Sequence, residues 1–204
     1  MKRILCLALA LVFLCGSLVS CGGDSKYKRS KEPTDYVVLV VKDYGEILIE
    51  LYPDAAPITV ANFKKLVSEK AYNNTIFHRV INGFVIQGGG FNRGDRVERD
   101  RPNEADTIVG EFASNGYENP LSHARGVVSM ARLGTDNDSA SNQFFICHTD
   151  ERVQSLNGEY AAFGVVLEGM DVVDEIATVL TNYYDQPYID VVLTRAYFTT
   201  APEK

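Results

Sequence analysis

Between Tyr36 and Phe198 the chain consists of short runs of β-branched and aromatic residues separated by turn formers, with only two stretches of helical period. This pattern limits the fold more than any other feature. The apolar run Tyr36–Val41, the turn formers Asp43-Tyr44-Gly45, and the alternation of Ile47, Ile49 and Leu51 with Glu46, Leu48 and Glu50 predict a hairpin. Further strands are predicted over 75–81, 84–87, 127–131, 143–148, 161–167 and 189–198. Pro57 suits the first position of a helix with Val60, Phe63, Leu66 and Val67 on its apolar face. A second helix is predicted from about Gly169 to Thr178, with Val173, Ile176, Ala177 and Leu180 on one face. Many short strands with two covering helices suggest a barrel capped at its ends, because closure leaves no exposed strand edge.

The residues ahead of this domain have a different character. Lys2 and Arg3 open the chain, residues 4–14 are apolar, and Leu18-Val19-Ser20-Cys21 follows. This is the anatomy of a lipoprotein signal peptide over residues 1–20, with Cys21 as the lipidated residue. The apolar run is too short to span roughly 30 Å of hydrocarbon as a permanent helix. Residues 22–34 combine Gly, Ser, Pro33 and charges with little apolar content, so 21–35 is expected as a flexible tether. One domain over 36–200 and a short tail over 201–204 complete the expected organisation. The expected location is a bacterial cell envelope, membrane-anchored and facing the periplasm or the exterior.

Removing Lys2 and Arg3 leaves 18 basic against 27 acidic residues, a formal −9, which argues against nucleic acid or an anionic membrane surface as a partner. Of the four cysteines, Cys6 and Cys15 lie in the leader and Cys21 at its end. Cys147 is the one left in the folded part, at the end of Phe144-Phe145-Ile146, where a buried apolar role is expected.

Two stretches carry chemistry. In Phe77-His78-Arg79-Val80-Ile81-Asn82-Gly83-Phe84-Val85-Ile86-Gln87-Gly88-Gly89, strand alternation puts Phe77, Arg79 and Ile81 on one side and His78 on the other. Val85 and Gln87 likewise share a side, so an arginine and a glutamine can converge. In the second stretch, Ser129-Met130-Ala131-Arg132 is followed after a polar loop by Ser141-Asn142-Gln143-Phe144-Phe145-Ile146, with Gln143 and Phe145 facing one way. One cation, two amides and an aromatic floor suit a shallow peptide-binding surface.

With these two motifs in this order, the chain resembles the cyclophilin family of peptidyl-prolyl cis/trans isomerases from about Tyr36 to Phe198. The resemblance implies a mainly β fold, a closed eight-stranded antiparallel barrel capped by two α-helices, with the site on its outer face. It implies Arg79 as the key catalytic group, with Gln87 and with Gln143 supporting Arg79 by hydrogen bonding. Phe84, Val85, Phe145 and Leu156 would accept the proline ring, Ala131 and Arg132 would meet the peptide backbone together with Gln87, and His78 and Tyr160 would line the rim. No cofactor or metal is implied. The expected partners are proline-containing polypeptides and a membrane reached through the N-terminal lipid, with the chain as a monomer. A binding module without turnover is the alternative on the same fold.

Some positions depart from the family pattern. Ser155 stands where many relatives carry Trp, Val85 where Met is common, and Tyr160 where His is common, which predicts weak inhibition by cyclosporin. Arg132 and Leu133 replace frequent Asn and Ala, and their longer side chains are expected to narrow the neighbouring pocket. Other short patterns lack their required context. Gly88-Gly89-Gly90 has no Gly-Lys-Ser/Thr ending for a phosphate loop, and Asp136-Asn137-Asp138 has Cys147 where a calcium loop needs Glu. His123 and His148 have no partners at zinc-ligand spacing.

Overall fold

The computed structural model describes residues 25–94 and 106–202; the leader and Cys21 lie outside the described residues. Strands Tyr36–Val41 (β1) and Gly45–Leu51 (β2) form the expected hairpin around Asp43, whose φ of 67° is left-handed. Helix Pro57–Ser68 (α1) follows, then Thr75–Ile81 (β3), Val85–Asn92 (β4), Val127–Met130 (β5), Phe144–Cys147 (β6), Ala162–Glu168 (β7), helix Met170–Ala177 (α2) and Val191–Thr199 (β8). The strands close in the order β1-β2-β7-β5-β6-β4-β3-β8, every pair antiparallel. The expected capped barrel is therefore the observed fold.

Alternation decides what fills it. Val37, Leu39, Ile47, Ile49, Phe77, Ile86, Phe144 and Ile146 point into one buried cluster that also receives Val60, Phe63, Leu66 and Val67 of α1 and Val173, Ile176 and Ala177 of α2. Rings of Phe63, Tyr72, Phe144 and Phe163 pack at centroid distances of 5.0–5.6 Å, within the range of favourable edge and tilted contacts. Helix α1 begins with Pro57 and has no capping side chain of its own. The buried Glu111 carboxylate instead accepts the backbone N–H groups of Ile58 and Thr59 and the Thr59 hydroxyl at 2.7–3.0 Å. An anion there satisfies otherwise orphaned donors at the positive end of the helix.

Two expectations need correction. Strand β4 does not stop at Gln87 but continues through Gly88-Gly89-Gly90 to Asn92. Glycine is required because of close approach: a Cβ on Gly90 would lie 2.5 Å from Cγ of Gln143, and one on Gly89 2.6 Å from the Asn142 carbonyl oxygen. The stretch expected as a tether is docked from Ser25 onward. Arg29 bridges Thr199, the Ser30 N–H donates to the Phe198 carbonyl, and Tyr27 packs on Val38, Leu48 and Tyr197. Composition alone made this stretch look unable to order itself, but the outer face of the barrel supplies apolar surface and backbone partners.

Candidate active site

The two motifs meet on the outer wall of the barrel. Arg79 of β3 lies opposite Gln87 of β4, Gln87 opposite Phe145 of β6, and Phe145 opposite Ser129 of β5, a single row across four neighbouring strands. With strands about 4.8 Å apart, Arg79 and Phe145 stand roughly 10 Å from each other along that row.

Simple alternation does not produce this arrangement. The ladder shifts register between Phe77 and Arg79, since Phe77 pairs with Gly88 while Arg79 pairs with the very next residue, Gln87. This bulge corrects the expectation that Phe77 and Arg79 share a face: Phe77 is buried in the barrel core, whereas His78 and Arg79 are both half-buried beside an outer cavity. Val80 then returns to the core. The bulge thus lets the chain anchor Phe77 inside and still turn Arg79 outward.

Beside the row lies a second buried cluster, separate from the barrel core, made of Val85, Val127, Phe145, Cys147, Val153, Leu156 and Ala162 and bordered by Phe84, Ala131 and Tyr160. The four residues expected to accept the ring, Phe84, Val85, Phe145 and Leu156, are therefore gathered with Tyr160 of the expected rim and Ala131, whereas His78, the other rim residue, lies outside this cluster. Tyr160 meets Phe145 edge-on at 5.6 Å, and His123 stacks beneath the same ring at 6.1 Å and 20°. His123 is buried, with Nδ1 3.1 Å from Asn157 Oδ1 and Nε2 3.0 Å from Ser129 Oγ. Burial pushes its pKa below the ordinary value, so the ring is a neutral support. Burial also pushes the Cys147 thiol up to about 12, which makes it an inert part of the cluster.

From Arg79, Gln87 and Gln143 a cavity of about 770 Å³ extends away from the apolar cluster, with Ala131 bordering both. Its far wall is a loop that sequence reasoning missed, carrying Asn182, Tyr184, Gln186 and Tyr188. The Asn182 Oδ1 accepts the backbone N–H groups of Tyr184 and Gln186, the Asn182 N–H donates to the Gln186 carbonyl, and the Val80 N–H donates to the Asp185 carbonyl. The turn formers Asn182, Asp185 and Pro187 were the available signal.

Side-chain partners also differ from expectation. Gln143 was expected to support Arg79, but its Oε1 accepts from Gln87 Nε2 at 2.9 Å, because Gln87 stands between the two. Asp185 engages Arg79 instead, its Oδ2 lying 3.6 Å from Nε. Arg132, expected to narrow the neighbouring pocket, lines the cavity with its side chain packed down. Its guanidinium lies between Phe112 and Tyr160, 5.1 and 5.0 Å from their centroids, and donates to the Glu159 carbonyl, the Leu133 carbonyl and the Glu159 carboxylate, leaving the side chain 7% exposed. The His78 ring packs on Phe91 at 4.5 Å along the cavity wall. Ser155 sits on an exposed 3₁₀ turn, and Arg152 of the same segment covers the Phe84 ring at 5.1 Å.

Comparison with known proteins agrees with this geometry. Residues 36–198 match the family described as cyclophilin type peptidyl-prolyl cis-trans isomerase/CLD. Peptidyl-prolyl cis-trans isomerase B of Escherichia coli is 40% identical over 161 residues, covering 74% of this chain and 92% of that protein. A peptidyl-prolyl cis-trans isomerase of Acinetobacter baylyi is 43% identical over 143 residues, covering 69% and 71%. A Cryptosporidium parvum cyclophilin type peptidyl-prolyl cis-trans isomerase, crystallised in the presence of the dipeptide ala-pro, superposes with a TM-score of 0.68 at 25% identity over 81% of this chain and 99% of that one. The chain belongs to the cyclophilin-type peptidyl-prolyl cis-trans isomerases.

Proposed function

We propose that the chain accelerates rotation about Xaa-Pro bonds at the Arg79–Gln87–Phe145 row, acting on proline-containing segments of envelope or secreted proteins. One observation carries the assignment: a guanidinium and the apolar cluster around Phe145 share one cross-strand row on the outer wall, within a dipeptide's reach of each other. Conjugation of the nitrogen lone pair with the carbonyl sets a barrier of ~20 kcal/mol for the uncatalysed bond. As the bond twists, the lone pair localises on the prolyl nitrogen. A cation directed at that nitrogen binds the twisted state better than the planar one, which lowers the barrier. Val85, Phe145 and Leu156 hold the ring while the carbonyl side turns. Gln87 and Gln143, already hydrogen-bonded to each other, retain further amide groups to fix the peptide backbone. No covalent intermediate is involved.

Two-dimensional exchange spectroscopy on an Ala-Pro peptide tests the reading, since it reports binding and turnover separately. Arg79→Ala is expected to slow exchange by roughly a hundredfold, the scale of losing one charge-stabilising donor, with a much smaller loss of affinity. Undiminished exchange would refute the assignment.

The same proposal includes a lipid at Cys21 after cleavage of residues 1–20, holding the domain at an envelope membrane. Its support is the basic, apolar and small-residue order of the leader. Mass measurement of the N-terminal peptide from envelope fractions, and release of a Cys21→Ala variant from the membrane, test it.

A further inference from the structure

On the face where the N-terminal segment docks, a groove of about 300 Å³ is bordered by four cations, Arg29, Lys31, Lys70 and Arg195. No carboxylate lines it, although the whole chain carries a formal charge of −7. Among the described residues none of the four is in an ion pair. The two guanidinium groups are held in place by the Tyr197 ring, Arg29 at 4.7 Å and Arg195 at 5.8 Å from its centroid. Arg195 Nε is buried and has no hydrogen-bond partner. Backbone contacts fix the segment as well: Arg29 bridges Thr199, the Ser30 N–H donates to the Phe198 carbonyl, and the Thr34 hydroxyl donates to the Thr199 carbonyl at 2.6 Å. Arg29 and Arg195 are thus held beside the groove on a docked segment and a barrel strand, with Lys31 and Lys70 exposed at its border.

We infer that this groove binds the phosphate headgroup of an acidic phospholipid, an inference that rests on the proposed lipid at Cys21. The argument is one of reach. Ser25 is tied by its hydroxyl to the Tyr197 hydroxyl. Cys21 is four residues upstream, so a fully extended chain puts it at most about 14 Å from Ser25. A lipid there brings the bilayer surface to the same ring on which Arg29 and Arg195 stack. Each cation near an anionic leaflet strengthens association roughly fivefold, and the effect fades over about 8 Å at physiological salt. The chain-wide charge balance concealed this, because it sums over a surface whose cations are gathered on one side. Strand β8 begins at Val191, paired with Phe77 next to the catalytic row, and ends at Thr199, which bridges Arg29. The groove is lined by Arg195 to Phe198 of this strand, four to seven residue steps or roughly 13–23 Å along β8 from Val191, so the two sites lie toward opposite ends of that strand.

The test is amide hydrogen exchange of the processed full chain, held by its own anchor on phosphatidylcholine vesicles with or without phosphatidylglycerol. Exchange over 26–31, 66–73 and 192–198 is expected to slow at least about fivefold with phosphatidylglycerol, to recover in high salt, and to be insensitive to phosphatidylglycerol in an Arg29→Gln, Lys70→Gln, Arg195→Gln variant. Turnover of a proline peptide by that variant is expected to stay unchanged, which also certifies its fold. Equal exchange on both vesicles, with the lipid present by mass, overturns the headgroup site and leaves the anchor standing. Absence of the lipid overturns both. Equal protection by free glycerol phosphate, or protection by heparin alone, overturns the assignment to a membrane.

Discussion

The Asp185 carboxylate lies 3.6 Å from the Arg79 Nε, and the two side chains are 42% and 41% exposed. Such an exposed pair contributes at most about 1 kcal/mol to stability, but it limits where the guanidinium can point. Asp185→Asn is expected to leave the melting temperature nearly unchanged and to reduce kcat/KM by several-fold. Thermal unfolding and peptide exchange, measured on the same preparation, check both halves. A loss of stability matching the loss of activity would reassign Asp185 to the scaffold.

Gly90 leaves room for the amide that Gln87 grips. A methyl at this position meets Gln143 at 2.5 Å, so Gly90→Ala is expected to cost about 1–3 kcal/mol, in line with overpacking elsewhere. It should also slow turnover by displacing Gln143. Adding Gln143→Ala to that variant is expected to restore much of the stability but none of the activity, as read by denaturant unfolding and exchange spectroscopy.

His123 supplies a pH dependence of known sign. Burial lowers its pKa in the folded chain below 6.5, so beneath that pH the unfolded chain takes up the proton more readily. This contribution to stability is complete above pH 6.5 and is lost as the pH falls toward the lowered folded value. Unfolding free energy should therefore rise with pH toward 6.5, by up to about 1.4 kcal/mol per unit for one proton, and then level off. His123→Gln, although less stable, should lose that part of the slope.

Ser155 lies at the edge of the ring-accepting cluster without a large side chain of its own, and Arg152 covers Phe84 nearby. Cyclosporin is expected to inhibit weakly, and Ser155→Trp to improve inhibition by at least about tenfold, the return on one well-buried aromatic contact. Inhibition curves on both proteins decide it. Nanomolar inhibition of the unmodified chain would contradict the expectation.

The barrel was legible because its strands alternate: Ile47, Ile49 and Leu51 announce an inner face, and Glu46 and Glu50 an outer one. Phe145 and Gln143 were legible for the same reason. What alternation hides is any break in the alternation. The bulge at His78 is stabilised by pairing with β4, a contact between distant parts of the chain that no local pattern encodes. Asp185, Glu111 and the packing of the Arg132 side chain escaped for a related reason. Each is a single polar residue whose meaning depends on what folds against it, an arginine, a helix start or two aromatic rings.

Because the barrel is closed and its interior filled, the row of Arg79, Gln87 and Phe145 is carried on convex masonry instead of in a tunnel. A client can lie across it like a rope over a drum. It needs no free end and no threading, so prolines deep within a long, half-folded polypeptide are as approachable as those near its tips.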